Sequence, residues 1–460
     1  MKRLWIKDTV DKIGEKVDLF GWVASIRDHK KVVFIDLRDR SGIIQIVGGS
    51  DLSELSPEDV VQVKGLVKKR PEHLVNPKIA TGRIELEVEK FQILSKAKTI
   101  PFPIDEDGYA IDEKIRLKYR YLDIRRSRMI RNLLYRHKIL REVRRFFEER
   151  DFIEVETPYL TKSTPEGARD FIVPSRLKKG KFYALPQSPQ QYKQLLMVAG
   201  IERYFQIVRC FRDEDPRSDR AYGEFTQIDA EMSFVDQKQV RALAEEMVVE
   251  VVESVFPEKK IMQKPFPVLS YREAMRKYKS DRPDLRDKDD PNTLAFCWIV
   301  DFPAFEWSDE KEKWTATHHP FTSLKRDDIK YLEKGSLDKV RADQYDLVLN
   351  GFEIAGGSIR ITDPDLQQKV FEVLGHTRSE IEEKFGHLLE AFSYGVPPHG
   401  GIAFGFDRFL QVVLNEPSVR EVIAFPATSG GTTAVMDAPS EVDKTQLEEL
   451  GIKVVESAGE

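Results

Sequence analysis

Between Val17 and Val47 the apolar residues come in three short runs with charged turns between them. The runs are Val17-Asp18-Leu19-Phe20-Gly21-Trp22-Val23, Val32-Val33-Phe34-Ile35-Asp36-Leu37 and Ile43-Ile44-Gln45-Ile46-Val47. Arg27-Asp28-His29-Lys30 and Arg38-Asp39-Arg40-Ser41-Gly42 supply the turns. Short runs bounded by turns give each segment one face to bury, and the set reads as an antiparallel meander. Two more candidate strands, Asp59 to Val67 and Ile84 to Leu94, bring the number to five in about ninety residues. Five short strands with basic loops form the pattern of an OB-fold barrel. A generic small β-barrel is the other architecture the pattern allows.

Pro101-Phe102-Pro103-Ile104 and the acidic segment after it mark a domain boundary. From Ser127 the positions Ile130, Leu133, Leu134, Leu140, Val143 and Phe147 recur at helical spacing, with Arg131, Lys138 and Arg145 on the other face. Strand-like runs follow at Arg203 to Phe211, Glu224 to Phe234, Ala295 to Phe302, Gly351 to Ile361 and Gly401 to Phe406. Helical runs are expected at Gln237–Val255 and Arg378–Ser393. Hairpin-like pairs dominate and no βαβ alternation is visible, so the fold class is α+β with a largely antiparallel sheet flanked by helices. The expected organisation is a barrel over 1–100, a linker over 101–126 and a larger domain over 127–460.

With 41% hydrophobic and 33% charged residues in 460, the composition is that of an ordinary globular protein. No apolar run approaches the ~20 residues that span a bilayer. No apolar core follows Met1-Lys2-Arg3-Leu4-Trp5, so no signal peptide is expected. Cys210 and Cys297 form no metal-binding spacing, and a reducing cytoplasm fits them. A net charge of −5 argues against a general nucleic-acid binder. Residues 1–100, however, carry 19 Lys+Arg against 15 Asp+Glu, so any nucleic-acid contact is expected to begin there.

Two arginines stand out: Arg212 in Phe211-Arg212-Asp213-Glu214-Asp215, and Arg408 in Gly405-Phe406-Asp407-Arg408. A planar guanidinium that never loses its charge matches phosphate oxygens in pairs. The plainer readings are a surface ion pair for Arg212 and a simple capped helix start for Asp407-Arg408. In this order the two segments resemble motifs 2 and 3 of class II aminoacyl-tRNA synthetases. Five further blocks narrow the resemblance to the bacterial aspartate-specific branch of that class: Thr164-Pro165-Glu166-Gly167-Ala168-Arg169-Asp170, Gln187-Ser188-Pro189-Gln190-Gln191-Tyr192-Lys193-Gln194, Phe225-Thr226-Gln227-Ile228-Asp229, His318-His319-Pro320-Phe321-Thr322 and Gly356-Gly357-Ser358-Ile359-Arg360.

The resemblance implies an ATP- and Mg²⁺-dependent ligation of L-aspartate to tRNA(Asp) through an aspartyl-adenylate, by a homodimer. Arg212 and Arg408 would be catalytic, on the α-phosphate and the far phosphate. Glu214 would meet the adenine amine, Phe225 would stack on the ring, and Glu353, Gly405, Phe406 and Asp407 would complete the ATP site. Asp346 and Glu353, seven apart around a strand-like run, would offer Mg²⁺ two hard oxygens. By the same resemblance Lys193 and Arg360 bind the aspartate side chain, with Ser188 and Arg212 beside it, and His318 and His319 line the pocket. Glu166, Gln190 and Asp229 hold the ammonium.

Two fixed cations would also reject the neutral amide isostere. Adjacent histidines on a strand point opposite ways and chelate poorly. The barrel matches the anticodon-binding domain of the same family. Phe34 would stack on a base while Arg27, Gln45 and Glu85 read base edges; its plainer role is barrel core.

Two departures stand out. The domain of roughly a hundred residues usual in bacterial members is missing near 287–295, and Ala221-Tyr222-Gly223 differs from the usual motif 2 loop. The rivals are an asparagine-specific synthetase and a nucleic-acid-binding paralogue without catalysis. The cationic pair argues against the first, and the presence of Arg212, Glu353 and Arg408 against the second. A histidine after Arg27-Asp28, here His29, resembles members that also charge tRNA(Asn).

Overall fold

The computed structural model describes residues 3–163, 167–214, 222–309 and 312–455. It divides into two compact units, Met1–Ile111 and Asp112–Glu460. In the first, β1 (Lys16–Asp28), β2 (Val33–Asp39), β3 (Gly42–Gly48), β4 (Val60–Lys69) and β5 (Ile84–Ser95) close into a barrel in the order β1-β2-β3-β5-β4. Only the β3–β5 pairing is parallel. Period two decides what goes inside. Val33, Ile35 and Leu37 of β2 are fully buried with Ile44, Ile46, Val61 and Leu86, while Phe34 and Asp36 face outward. Phe34 is therefore not barrel core.

The second unit uses α1 (Ser127–Glu148), β6 (Ile153–Glu154), α2 (Gln190–Val198), β7 (Arg203–Arg212), β8 (Gly223–Ser233), α3 (Gln237–Val255), β9 (Val268–Ser270), β10 (Phe296–Val300), β11 (Gln344–Leu349), β12 (Phe352–Ile359), α4 (Arg378–Ser393), β13 (His399–Gly405) and α5 (Phe406–Leu414). Eight strands make one sheet in the order β9-β10-β11-β12-β13-β8-β7-β6. The six inner strands pair antiparallel, and only the two-to-three-residue edge strands β9 and β6 pair parallel. Helices α1 and α3 cover one face. Ile139, Val143, Phe146 and Phe147 of α1 and Val240, Ala244, Val248 and Val251 of α3 pack on Ile228, Ala230, Leu347, Ile402 and Phe404 of the sheet. Asp236 caps α3 with a reciprocal box to Gln239, which starts the helix where its apolar stripe begins. No described helix is long and apolar enough to cross a membrane.

Several expectations need correction. Residues 112–126 are no linker. They form short helices whose buried arginines are tied into the second unit, Arg116 to Glu421 at 2.8 Å and Arg120 and Arg126 to Asp123 at 2.8 and 2.7 Å. Pro101 and Pro103 break regular structure, but ion pairing, which leaves no periodicity, decides where the chain packs. On α1 the buried stripe is Met129, Asn132, Ile139, Val143 and Phe146, whereas Leu134 is 44% exposed. Phe406 opens α5 and does not end a strand, because its ring is drawn into the main core. Strand β11 was not among the expected runs, although all six of its residues are buried.

Candidate active site

On β8, Ile228, Ala230 and Met232 enter the core, so Phe225, Gln227, Asp229 and Glu231 stand on the opposite face. Neighbouring β13 offers only Gly401, Ala403 and Gly405 on that side, and a cavity of about 470 Å³ opens above them. That volume is in the range of small-molecule sites. Gly401 must stay glycine: a side-chain carbon there would lie 2.0 Å from Glu231 Oε2 and 2.2 Å from the Ala230 carbonyl.

One end of the cavity holds four buried charges. Lys193 Nζ donates to Asp229 Oδ1 at 2.6 Å and lies 3.3 Å from Glu231 Oε2. Arg360 grips Glu231 with both arms of its fork, Nε to Oε1 at 2.8 Å and Nη2 to Oε2 at 2.9 Å. Glu231 did not figure among the expected site residues. Its signal was available, since two residues beyond Asp229 on a strand is the same face. Buried between two cations, its carboxyl is lowered to about 2, against the pull of burial. Asp229 goes the other way, its pKa raised chiefly by burial. The two cations are thus already matched by two carboxylates, which corrects the expectation of an unbalanced pair.

The remaining valences can be counted. Arg360 Nη1 donates to His319 Nε2 at 2.6 Å and to Ser358 Oγ at 2.5 Å, so four of its five N–H groups are in use. Lys193 makes one hydrogen bond, to Asp229, and an ion pair with Glu231. His319 Nε2 faces Arg360, while its Nδ1 accepts from Phe321 N at 3.2 Å and lies 3.3 Å from Thr322 Oγ1. Burial and the nearby Arg360 and Lys193 charges hold His318 down to about 3, and His319 well below its ordinary value. Both are neutral at physiological pH. They do not oppose each other on a strand: they sit in a turn, ring centroids 4.4 Å apart, both lining the cavity. Gln190 and Ser188 line the same end, Gln190 donating to Gln194 at 3.0 Å.

At the other end, Arg212 hangs from the Gln187 carbonyl at 3.4 Å with its guanidinium 5.1 Å from the Phe225 ring centre. Arg408 donates to the Glu353 carbonyl at 2.7 Å, and Glu214 and Gly405 complete this wall. Asp407 lines the cavity but is committed elsewhere, accepting from Thr226 N at 2.8 Å and Arg136 Nη1 at 2.5 Å. It holds the start of α5 in place. Phe406, expected at the ATP site, is fully buried in the core and does not line the cavity. Glu166 and Asp215 lie outside the described residues, as does Ala221 of the motif 2 loop.

Asp346 and Glu353 are not on one run; β11 and β12 carry them across the Asn350-Gly351 turn. A bulge sets two residues, Ile354 and Ala355, against Leu347, all three in the core. The extra residue returns both Glu353 and Gly356 to the cavity side. Asp346 is pushed well above the ordinary carboxylate range, by burial first and by Glu353 second. Neither carboxylate has an ion-pair partner among the described residues. Two adjacent hard oxygens lacking a cation fit Mg²⁺, which characteristically takes one or two carboxylates and fills its shell with phosphate and water. Gln344, also unforeseen, is buried and turns Nε2 toward both Asp346 oxygens at 3.3 and 3.4 Å.

The barrel residues meet on one outward face. Register pairs Arg27 with Phe34 and Asp36 with Gln45. Arg27 Nη2 donates to Gln45 Oε1 at 3.2 Å, and Gln45 Nε2 to Glu85 Oε2 at 3.1 Å. His29 sits edge-on to Phe34 at 5.8 Å. A half-exposed ring beside a line of donors and acceptors suits an unpaired base.

Residues 112–429 match the family described as tRNA synthetases class II (D, K and N), and residues 17–94 match the OB-fold nucleic acid binding domain. An aspartate–tRNA(Asp/Asn) ligase of Dictyoglomus turgidum is 44% identical, covering 96% of each chain. An aspartate–tRNA ligase of Staphylococcus saprophyticus is 39% identical over 97% of this chain and 98% of its own. The first alignment runs over 574 residues and exceeds the 460 of this chain by 114, so that relative has a large segment with no counterpart here. An asparaginyl-tRNA synthetase from Pyrococcus horikoshii, complexed with asparaginyl-adenylate, has the same fold, with TM-score 0.74 at 22% identity over 93% of this chain and 98% of that one.

Proposed function

The chain belongs to the class II tRNA synthetases of the aspartate, lysine and asparagine group, and from that premise we propose that it ligates L-aspartate to tRNA(Asp), using ATP, through an aspartyl-adenylate. One observation carries the choice of amino acid. After its fixed partners are served, Arg360 keeps one N–H donor, and Lys193, with a single hydrogen bond to Asp229, keeps further donors beside it on the cavity wall. Two convergent charged donors suit a carboxylate. An asparagine side chain would turn its own NH₂ toward one of them, leaving donor against donor in a buried site.

Aspartate lies with its side chain on Lys193 and Arg360 and its ammonium toward Asp229, Gln190 and Glu166, with Ser188 at its flank. Its α-carboxylate oxygen attacks the α-phosphorus of ATP, the bond to the β-phosphate breaks and pyrophosphate leaves. Arg212 takes the charge that grows on the α-phosphoryl oxygens, and Arg408 takes the far phosphate. Phe225 stacks on adenine and Glu214 accepts from its amine. Asp346 and Glu353 would hold Mg²⁺, which would supply positive charge beside the phosphate oxygens. A terminal ribose hydroxyl of tRNA then attacks the acyl carbonyl and AMP departs. ATP–pyrophosphate exchange should require aspartate and Mg²⁺ but no tRNA. Exchange with asparagine and none with aspartate would sink the assignment.

The barrel reads the anticodon through Phe34, Arg27, Gln45 and Glu85. Phe34→Ala removes a stack of ~1–3 kcal/mol, so it should raise the KM for tRNA and leave exchange unchanged. An equal fall in both would show a folding defect. His29 after Arg27-Asp28, together with two relatives named for both tRNA(Asp) and tRNA(Asn), supports a wider range that includes tRNA(Asn); charging a tRNA(Asn) transcript decides it. Homodimerisation is supported by exposed apolar residues on α1, on β6 and beyond it, Leu134 at 44%, Ile153 at 50% and Leu160 at 54%. Light scattering at micromolar protein checks it. Cys210 and Cys297, both buried and not joined in a disulfide, fit the cytoplasm.

A further inference from the structure

Strands Ile172–Pro174 and Phe182–Ala184 form a hairpin whose tip carries Arg176, Lys178, Lys179 and Lys181, all exposed. No acidic residue occurs between Asp170 and Glu202, and residues 101–460 together carry 54 Lys+Arg against 63 Asp+Glu. The four cations are therefore a local exception on an acidic body. None of them is in an ion pair among the described residues. The stem of Lys179 passes Gly451 of the C-terminal segment, yet Glu448 and Glu449 nearby make no ion pair with it.

The turn is held in shape. Lys181 N donates to the Lys178 carbonyl at 3.0 Å, Ser175 N to the Lys181 carbonyl at 2.9 Å and Lys178 N to Ser175 Oγ at 3.1 Å. Gly180 supplies the left-handed residue, φ +76°. A solvated charge run needs no such scaffold, whereas a turn fixed by three hydrogen bonds presents its cations together.

The base of the hairpin belongs to the cavity rim. Gln187 amide bonds tie it to Ala168, its carbonyl anchors Arg212, and Ser188 lines the pocket. Six residues of extended chain from Gln187 to Lys181 reach about 20 Å. A polyanion whose end enters the cavity would pass its backbone within range of that tip.

We propose that this tip binds backbone phosphates of the tRNA acceptor stem while the terminal adenosine occupies the cavity. The proposal rests on the reading of the cavity as a tRNA-charging site. It also gives the chain a contact to the acceptor arm without the 114 or more residues that its relative has in excess.

The test uses the full chain with Lys178→Ala, Lys179→Ala and Lys181→Ala combined. Its substrates are whole tRNA(Asp) and an acceptor-stem minihelix lacking the anticodon. The triple variant should raise KM about tenfold for both, and the slope of log affinity against log salt should flatten by about 2. Aspartate-dependent exchange, which needs no tRNA, reports folding. Unchanged KM and salt slope would overturn the proposal, and so would a loss confined to whole tRNA with the minihelix unaffected. Absence of aspartate-dependent exchange in the unmodified protein would instead defeat the reading of the cavity.

Discussion

The two ends of the cavity solve opposite electrostatic problems. At the end proposed for the amino acid two buried cations face two buried carboxylates, the Glu231 carboxyl is lowered to about 2, and four of the five Arg360 N–H groups are used. At the end proposed for the phosphates Asp346 and Glu353 face each other with no ion-pair partner among the described residues, and Asp346 is pushed upward. The first end is finished before substrate arrives and selects by what little hydrogen-bonding capacity it leaves. The second is unfinished and is completed by what it binds. Preorganisation suits recognition of one small molecule; an unbalanced pair suits a metal ion that arrives with a nucleotide.

The comparison can be broken first at Glu231. Glu231→Gln leaves Lys193 and Arg360 short of a counter-charge, and stability should fall by ~3–5 kcal/mol, measured by urea unfolding. A neutral result would mean that water reaches this end. Next comes Arg408→Ala, which should slow exchange by roughly 10²–10³, or ~3–4 kcal/mol, with the melting temperature held. Loss of the fold together with the activity would make Arg408 a strut for the Glu353 carbonyl.

Asp346→Asn probes the unfinished end and should have the opposite sign to Glu231→Gln. A carboxyl whose folded pKa is raised contributes stability at low pH and loses it as pH rises through that pKa. At pH 7.5 without ligand, the variant should therefore melt higher, by about 2–4 °C, while Mg²⁺-dependent exchange collapses. A lower melting temperature would refute the unbalanced pair.

The smallest effects concern pH and Gln344. With His318 near 3, His319 well below its usual value and Glu231 near 2, these three hold their charge between pH 5.5 and 8, which leaves Asp229, raised by burial, as the group at this end that takes up a proton first as pH falls. The KM for aspartate should hold on the alkaline side and rise toward the acid side, where Asp229 stops pairing with the ammonium. Protonating Asp346 removes a ligand, so the Mg²⁺ concentration for half-maximal exchange should rise as pH falls. Gln344→Met should raise that concentration several-fold at fixed pH, in line with one hydrogen bond of about 1 kcal/mol.

The local chemistry of this protein was legible in its sequence. Alternation in Val32 to Val47 defined the barrel strands and left Phe34 on the outside, and Gln237–Val255 and Arg378–Ser393 are helices within the expected bounds. Arg212 could be singled out by its own chemistry, whereas Lys193, Asp229 and Arg360 were picked out by the resemblance to the family, and all four line the cavity. What the sequence could not carry is pairing between distant segments. Glu231 meets Arg360 across 129 positions, Arg116 meets Glu421 across 305, and the bulge opposite Leu347 decides which way Glu353 points. Phe406 was read as part of a nucleotide site because of its neighbours, yet core packing claimed its ring. Periodicity and residue type are properties of a few adjacent residues and survive in one dimension. Charge balance and side-chain direction depend on which strands lie side by side, and only the folded sheet sets that.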